Sequence, residues 1–203
     1  MLTFGGAGVA LICAWLAGLG RLAPWWPARW TALAYIEVFR GTSALVQLFW
    51  FYFALPLLGI EFTAMTTGIL VLGLNIGAYG AEVVRGAILN VARGQYEAGT
   101  ALNLTPWQRM RHVVIPQAIP AMLPPAGNLI VELLKGTALV SLITLSDLTF
   151  RGQVLRGETL RTTEIFALLL VIYFVIALVL TRGVGWLEIR MTRHMNVERA
   201  HGL

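Results

Sequence analysis

Arg93 to Ala118, RGQYEAGTALNLTPWQRMRHVVIPQA, is the only long polar, helix-forming stretch in a chain that otherwise reads as hydrocarbon. Its first half places helix formers around Ala98, Ala101 and Leu102, with Glu97 near the N-terminus, where the helix dipole favours a carboxylate. The pattern predicts a stop at Asn103, because asparagine tolerates the left-handed conformation that closes many helices. Thr105-Pro106-Trp107-Gln108 then offers an N-cap threonine, a proline at the first helical position and a glutamine placed for a capping box. Trp107, Met110 and Val114 recur as one apolar stripe, while Gln108, Arg109, Arg111 and His112 take the other positions. Pro116 disfavours simple continuation. The expected product is helix, tight turn, helix: a compact knob. Such a segment also suits an amphipathic connector lying on lipid headgroups, but Ala98 and Gly99 beside the turn allow the close backbone approach of a protein contact.

The rest of the chain says why a knob stands out. Of 203 residues, 58% are hydrophobic and 12% charged, about half the charge of an ordinary soluble domain, and the mean hydropathy is +0.75. This is the composition of an integral membrane protein. The formal net charge of +5 does not point to nucleic acid, because the arginines are scattered along loops without an aromatic-basic stripe. Cys13 has no partner for an intrachain disulfide and reads as a small core hydrophobe. His112, His194 and His201 form no metal-ligand spacing. Met1 to Gly20 lacks the basic start of a signal peptide and is expected to be an uncleaved first span.

A span needs roughly 20 apolar residues, and five segments qualify: about 2–20, 32–58, 63–89, 119–145 and 164–186. No internal repeat or linker divides them, so one membrane domain over residues 1–203 is expected. With the N-terminus outside, the inner side holds Arg21, Arg29, Arg93, Arg109, Arg111, Arg182, Arg190, Arg193 and Arg199, against Arg151, Arg156 and Arg161 outside. Nine against three predicts N-out, C-in, with the knob in the cytoplasm.

The knob resembles the EAA signature of importer-type ABC permeases, here Glu97-Ala98-Gly99, Asn103 and Val113-x-Ile115-Pro116. It departs mildly, with Gly99 for alanine, Asn103 for glycine, Val113 for isoleucine and Ile115 for leucine. Three further stretches, EVFRGTSALVQLFWFYFALP, AYGAEVVRGAILNVARGQYEA and NLIVELLKGTALVSLI, are similar to the polar amino acid subfamily (the histidine, glutamine and arginine type), with Ser43 where that subfamily usually has proline. Together they cover most of residues 36–145. The resemblance implies an all-α type I permease fold of about five transmembrane helices. It also implies that residues 93–116 form a coupling helix seated in an ATPase subunit, through Glu97, Ala98, Gly99, Asn103, Thr105, Trp107, Arg109 and His112. Family members usually carry additional residues before the first span, so the expectation here is open between a sequence that begins late and an abbreviated start.

Three acid-to-base pairs fall at i, i+3: Glu37 with Arg40, Glu82 with Arg85, and Glu132 with Lys135. A charge at mid-bilayer costs at least roughly 2.5 kcal/mol, so each is expected to have neighbours. The first two pairs approach the inner end, where packing or gating is expected. Glu132 and Lys135 sit deeper, in a span that Pro120, Pro124 and Pro125 are expected to interrupt. The substrate route is therefore placed beside Glu132, Lys135 and Thr137, with Asn75 and Tyr79 facing from the third span and Glu82 and Arg85 towards the inner end.

No phosphate loop is present; Lys135-Gly136-Thr137 has the wrong order. Neither H-E-x-x-H nor G-x-S-x-G occurs. The expected function is thus the permease subunit of an ABC importer rather than an enzyme, with ATP and Mg²⁺ bound by a partner ATPase. The expected partners are two ATPase subunits, an extracytoplasmic solute-binding protein and a second copy or related permease, since five spans are few to enclose a polar path. An ATP-independent channel or secondary carrier shares the charged spans but has no use for the knob. The solute is open among arginine, glutamine, cystine and an osmolyte such as ectoine, whose permeases the SDLTF region resembles.

Overall fold

The computed structural model describes the backbone from Met1 to Ala200 and the side chains from Met1 to Arg190. The side chains of Arg193, His194 and Arg199, and all of His201, lie outside the described residues. Every described element is helical. Helix α1 (Leu2–Leu22) has no charge before Arg21 and matches the first predicted span. It packs lengthwise on α4 (Ala64–Leu89), which begins with Thr63 accepting the Thr66 N–H. Close approach comes from glycine: a Cβ on Gly77 would lie 2.7 Å from Cys13 Cβ and 3.1 Å from the Ala10 carbonyl oxygen, and one on Gly73 would lie 2.6 Å from Val9 Cβ. Small residues serve this role in membranes, where association depends on packing rather than on escape from water.

The second predicted span is not one straight helix. Helix α2 (Trp26–Gly41) and α3 (Ala44–Phe49), which runs on through wider and tighter turns to Leu58, meet at 103°. At the bend Gln47 serves backbone carbonyls that the break in the helix leaves open: its Nε2 donates to Phe39 O at 3.0 Å and Thr42 O at 3.3 Å, and to Thr42 Oγ1 at 2.7 Å. Hydropathy alone cannot register such a bend.

After α4 come α5 (Arg93–Ala101) and α6 (Pro106–Arg109). Here the structure corrects the expectation at Pro116. A π turn at Met110–Val114, in which the Ile115 N–H reaches Met110 O, carries α6 into α7 (Ile115–Gly136), so Pro106–Ile143 forms one helical run of 38 residues. The changed register just before Pro116 accommodates a residue without an N–H. Pro120, Pro124 and Pro125 also lie inside α7 without breaking it. The departure from α geometry comes at Thr137, where the chain tightens into a 3₁₀ run to Ile143 and ends with Thr144 left-handed at φ 64°.

The segment between Thr144 and the last long helix is itself helical: α8 (Leu148–Thr159) starts where Asp147 Oδ1 accepts the Phe150 N–H at 2.7 Å. Burial raises the Asp147 carboxyl above its usual value, and backbone N–H groups at Phe150 and Thr149 partly offset this. Helix α9 (Thr162–Ala200) is longer than the predicted fifth span. Among the described residues, four helical runs are long and apolar enough to cross a membrane, and a fifth if the bent α2–α3 pair is one span.

Candidate functional site

The turn forms as its sequence dictates, but the carboxylate does not take the expected place: α5 already begins at Arg93, so Glu97 falls mid-helix and no acidic residue stands in the first turn. Asn103 is left-handed at φ 55°, the Leu104 N–H donates to Gly99 O at 3.0 Å, and the Asn103 N–H donates to Thr100 O at 2.9 Å. This is the paired closure of a Schellman turn. On its far side Thr105 and Gln108 make both bonds of the capping box. Arg109 locks the two helices: its aliphatic stem covers buried Gly99, where a Cβ would lie 3.0 Å from Arg109 Cγ and Cδ. Its guanidinium donates to Thr100 Oγ1 and lies 5.9 Å from the Tyr96 ring centre. Tyr96 donates in turn to Ile88 O at 3.0 Å, tying α5 back to α4. Burial pushes the Tyr96 phenol above its usual value, with the Arg109 cation offsetting part of the shift, so this donor stays protonated at neutral pH.

The outer surface of the knob is open. Glu97, Ala98, Thr105 and His112 are exposed, and Trp107 and Leu102 are 67% and 72% exposed. The His112 ring hydrogen-bonds to Gln108 O at 3.0 Å. A rigid turn with an exposed tryptophan, leucine and carboxylate is suited to seating in a partner, not to chemistry of its own.

The residues expected along a substrate route fall in three places. Asn75 is buried and donates to Phe39 O at 2.8 Å and Gln47 Oε1 at 3.2 Å, so it belongs to the α2–α3 bend. Tyr79 lies beneath the Arg40 guanidinium at 5.1 Å, and Arg40 takes this ring in place of the expected pairing with Glu37. Glu82 and Arg85 do pair, at 3.3 Å, and Arg21 approaches the same carboxylate at 3.9 Å. Glu132 and Lys135 both stand exposed and do not bridge each other, while Thr137 is buried and donates to Leu134 O at 2.7 Å.

What the structure adds is a face. Gln117, Ala121, Pro124, Asn128, Glu132 and Lys135 are all exposed on α7, and their spacing places them on one side of the helix. Asn128 was not expected here, although its i, i+4 relation to Glu132 is legible in the sequence. Lys135 also borders a cavity of about 640 Å³ between α7 and α9, shared with Tyr173, Thr181 and Arg182. Polar side chains on a membrane-length helix cannot face hydrocarbon cheaply; they face water or protein.

An all-helical membrane protein with a rigid extramembrane turn and an unshielded polar helix face has the form of a transporter subunit. Residues 7–193 match the family described as binding-protein-dependent transport system inner membrane component. The chain belongs to that family and is a permease subunit of an ABC importer. It is 46% identical over 188 residues to the probable amino-acid ABC transporter permease protein y4tF of Sinorhizobium fredii, covering 90% of this chain and 79% of that one. It is 39% identical over 183 residues to the glutamine transport system permease protein GlnP of Escherichia coli, covering 89% and 84%. Among solved structures, an amino acid ABC transporter with histidines superposes with a TM-score of 0.87 at 36% identity over 93% of this chain and 88% of that one. The MetNI methionine ABC transporter shares the fold, with a TM-score of 0.79 at 19% identity over 94% and 91%.

Proposed function

We propose that this permease moves an amino acid or a similarly polar zwitterion along the exposed face of α7, closed off by a second permease subunit. The observation that carries the reading is the row of Gln117, Asn128, Glu132 and Lys135, polar and exposed on one side of a helical run long enough to cross a membrane. Glu132 and Lys135 offer both charge signs to a zwitterion's ammonium and carboxylate, and a second subunit of five or fewer spans would complete the wall. The names of the relatives, a glutamine permease among them, support an amino acid as the solute.

In this reading two ATPase subunits bind ATP and Mg²⁺ and seat the α5–α6 turn. Closure of the ATPases then shifts the membrane subunits between inward-open and outward-open states, because the turn makes different contacts in each. An extracytoplasmic binding protein delivers solute to the end bearing α8. Arginine placement supports an outside N-terminus and an inside C-terminus. A channel or carrier working without ATP is not favoured, since it leaves the preformed turn without a task.

The test is uptake by the assembled transporter in vesicles, with binding-protein calorimetry across glutamine, arginine, cystine and ectoine to fix the solute. Removing one charged contact to the solute by Glu132→Gln or Lys135→Met should weaken apparent uptake affinity by about 10- to 150-fold, from roughly 1.5–3 kcal/mol per charged hydrogen bond. Unchanged affinity and rate in both assembled variants would overturn this route.

A further inference from the structure

At the same end of the molecule as the α5–α6 turn, Arg21 at the close of α1, Arg29 and Trp30 at the start of α2, and Arg85 near the end of α4 surround a cavity of about 320 Å³ floored by Leu33. We propose that this cavity binds the phosphate group of an anionic phospholipid from the leaflet on the coupling side.

Charge accounting comes first. Both oxygens of Glu82 are already engaged, one 3.3 Å from Arg85 and the other 3.9 Å from Arg21. A single carboxylate therefore serves two guanidiniums, and among the described residues no carboxylate lies within 4.0 Å of Arg29. The Arg21 Nε is buried without a hydrogen-bond acceptor. Three cations against one anion leave an excess of two positive charges around a space with ample room for a phosphate group, and guanidinium forks match phosphate oxygens in geometry.

Position comes second. Trp25 at the N-cap of α2, and Trp26 and Trp30 within its first five residues, are 67%, 65% and 61% exposed. Tryptophans so placed mark headgroup depth, where an amphipathic ring is most stable. The cavity thus opens at the level where lipid phosphates lie, and basic pockets between spans on that side suit anionic headgroups. The solute route on α7 lies on other residues, so the site can fail or stand independently of the transport reading.

The experiment measures lipid retention by the purified transporter complex, using native mass spectrometry after exposure to mixed vesicles of phosphatidylglycerol and phosphatidylcholine. The wild-type complex is expected to retain phosphatidylglycerol preferentially, and Arg29→Gln should reduce that preference about fivefold, the effect of one arginine near an anionic surface. Arg29→Gln removes an exposed side chain and should leave assembly intact. Arg93→Gln, an exposed arginine outside the cavity, should change the preference little. Equal retention by wild type and Arg29→Gln overturns the proposal, as does an equal loss in Arg93→Gln, which would mean general surface charge. Displacement of the lipid by millimolar inorganic phosphate would assign the site to free phosphate and overturn the lipid as its source.

Discussion

Substituting Asn103 by valine tests the knob at its tightest point. Asn103 sits at φ 55°, with its own N–H and that of Leu104 closing the end of α5 onto Thr100 and Gly99. A non-glycine residue in this region costs about 1–3 kcal/mol, and β-branching places valine at the upper end because it crowds its own carbonyl. Asparagine offsets part of this cost through local polar contacts that valine lacks. At about 1.4 kcal/mol per tenfold, the formed turn loses roughly 5- to 150-fold against open alternatives. The rest of the membrane domain is packed elsewhere, on α1 and α4, so the protein should assemble while the turn loosens. In reconstituted vesicles the ratio of solute taken up to ATP hydrolysed should therefore fall steeply in Asn103→Val and remain near wild type in Asn103→Gly, which adopts the same φ freely. Normal coupling in Asn103→Val, with ATPase stimulation by solute intact, would refute the argument that this left-handed turn transmits the motion.

Gly77→Leu should prevent stable folding, because even a Cβ would lie 2.7 Å from Cys13 Cβ and 3.1 Å from the Ala10 carbonyl oxygen; overpacking of this kind costs about 1–3 kcal/mol or more, and thermal unfolding in detergent should show a clear drop or no recoverable protein. Asn75→Leu removes a donor to Phe39 O and Gln47 Oε1. Gln47 still serves Phe39 O, so the loss should be moderate, about 0.6–2 kcal/mol, read as a lower melting temperature with solute affinity unchanged; a selective loss of affinity would place Asn75 on the solute route instead of in the bend.

The knob was the most legible part of this protein because its determinants are local. Asn103, Thr105, Pro106 and Gln108 each act within four residues of themselves, so turn and capping box could be written down before any fold existed. The membrane class and the approximate spans follow likewise from the apolar runs. Glycine at position 99 looked like a mild departure in the motif, and its purpose appears only once Arg109 is folded across it.

What the sequence by itself determined is this local grammar: a hydrocarbon-rich chain, a polar helix pair between spans, and a spacing that puts Asn128, Glu132 and Lys135 on one side of α7. Tertiary structure alone decided which charges meet. Spacing at i, i+3 permits a pair but does not enforce it: Arg40 leaves Glu37 for the Tyr79 ring, Glu82 takes Arg21 as well as Arg85, and Lys135 stands beside α9. Long side chains choose among neighbours brought by other helices, and those neighbours are fixed by the glycine contacts of α1 with α4 and by the 103° bend between α2 and α3. That bend rests on Gln47 and Asn75, residues 28 positions apart, a separation at which sequence periodicity carries no signal.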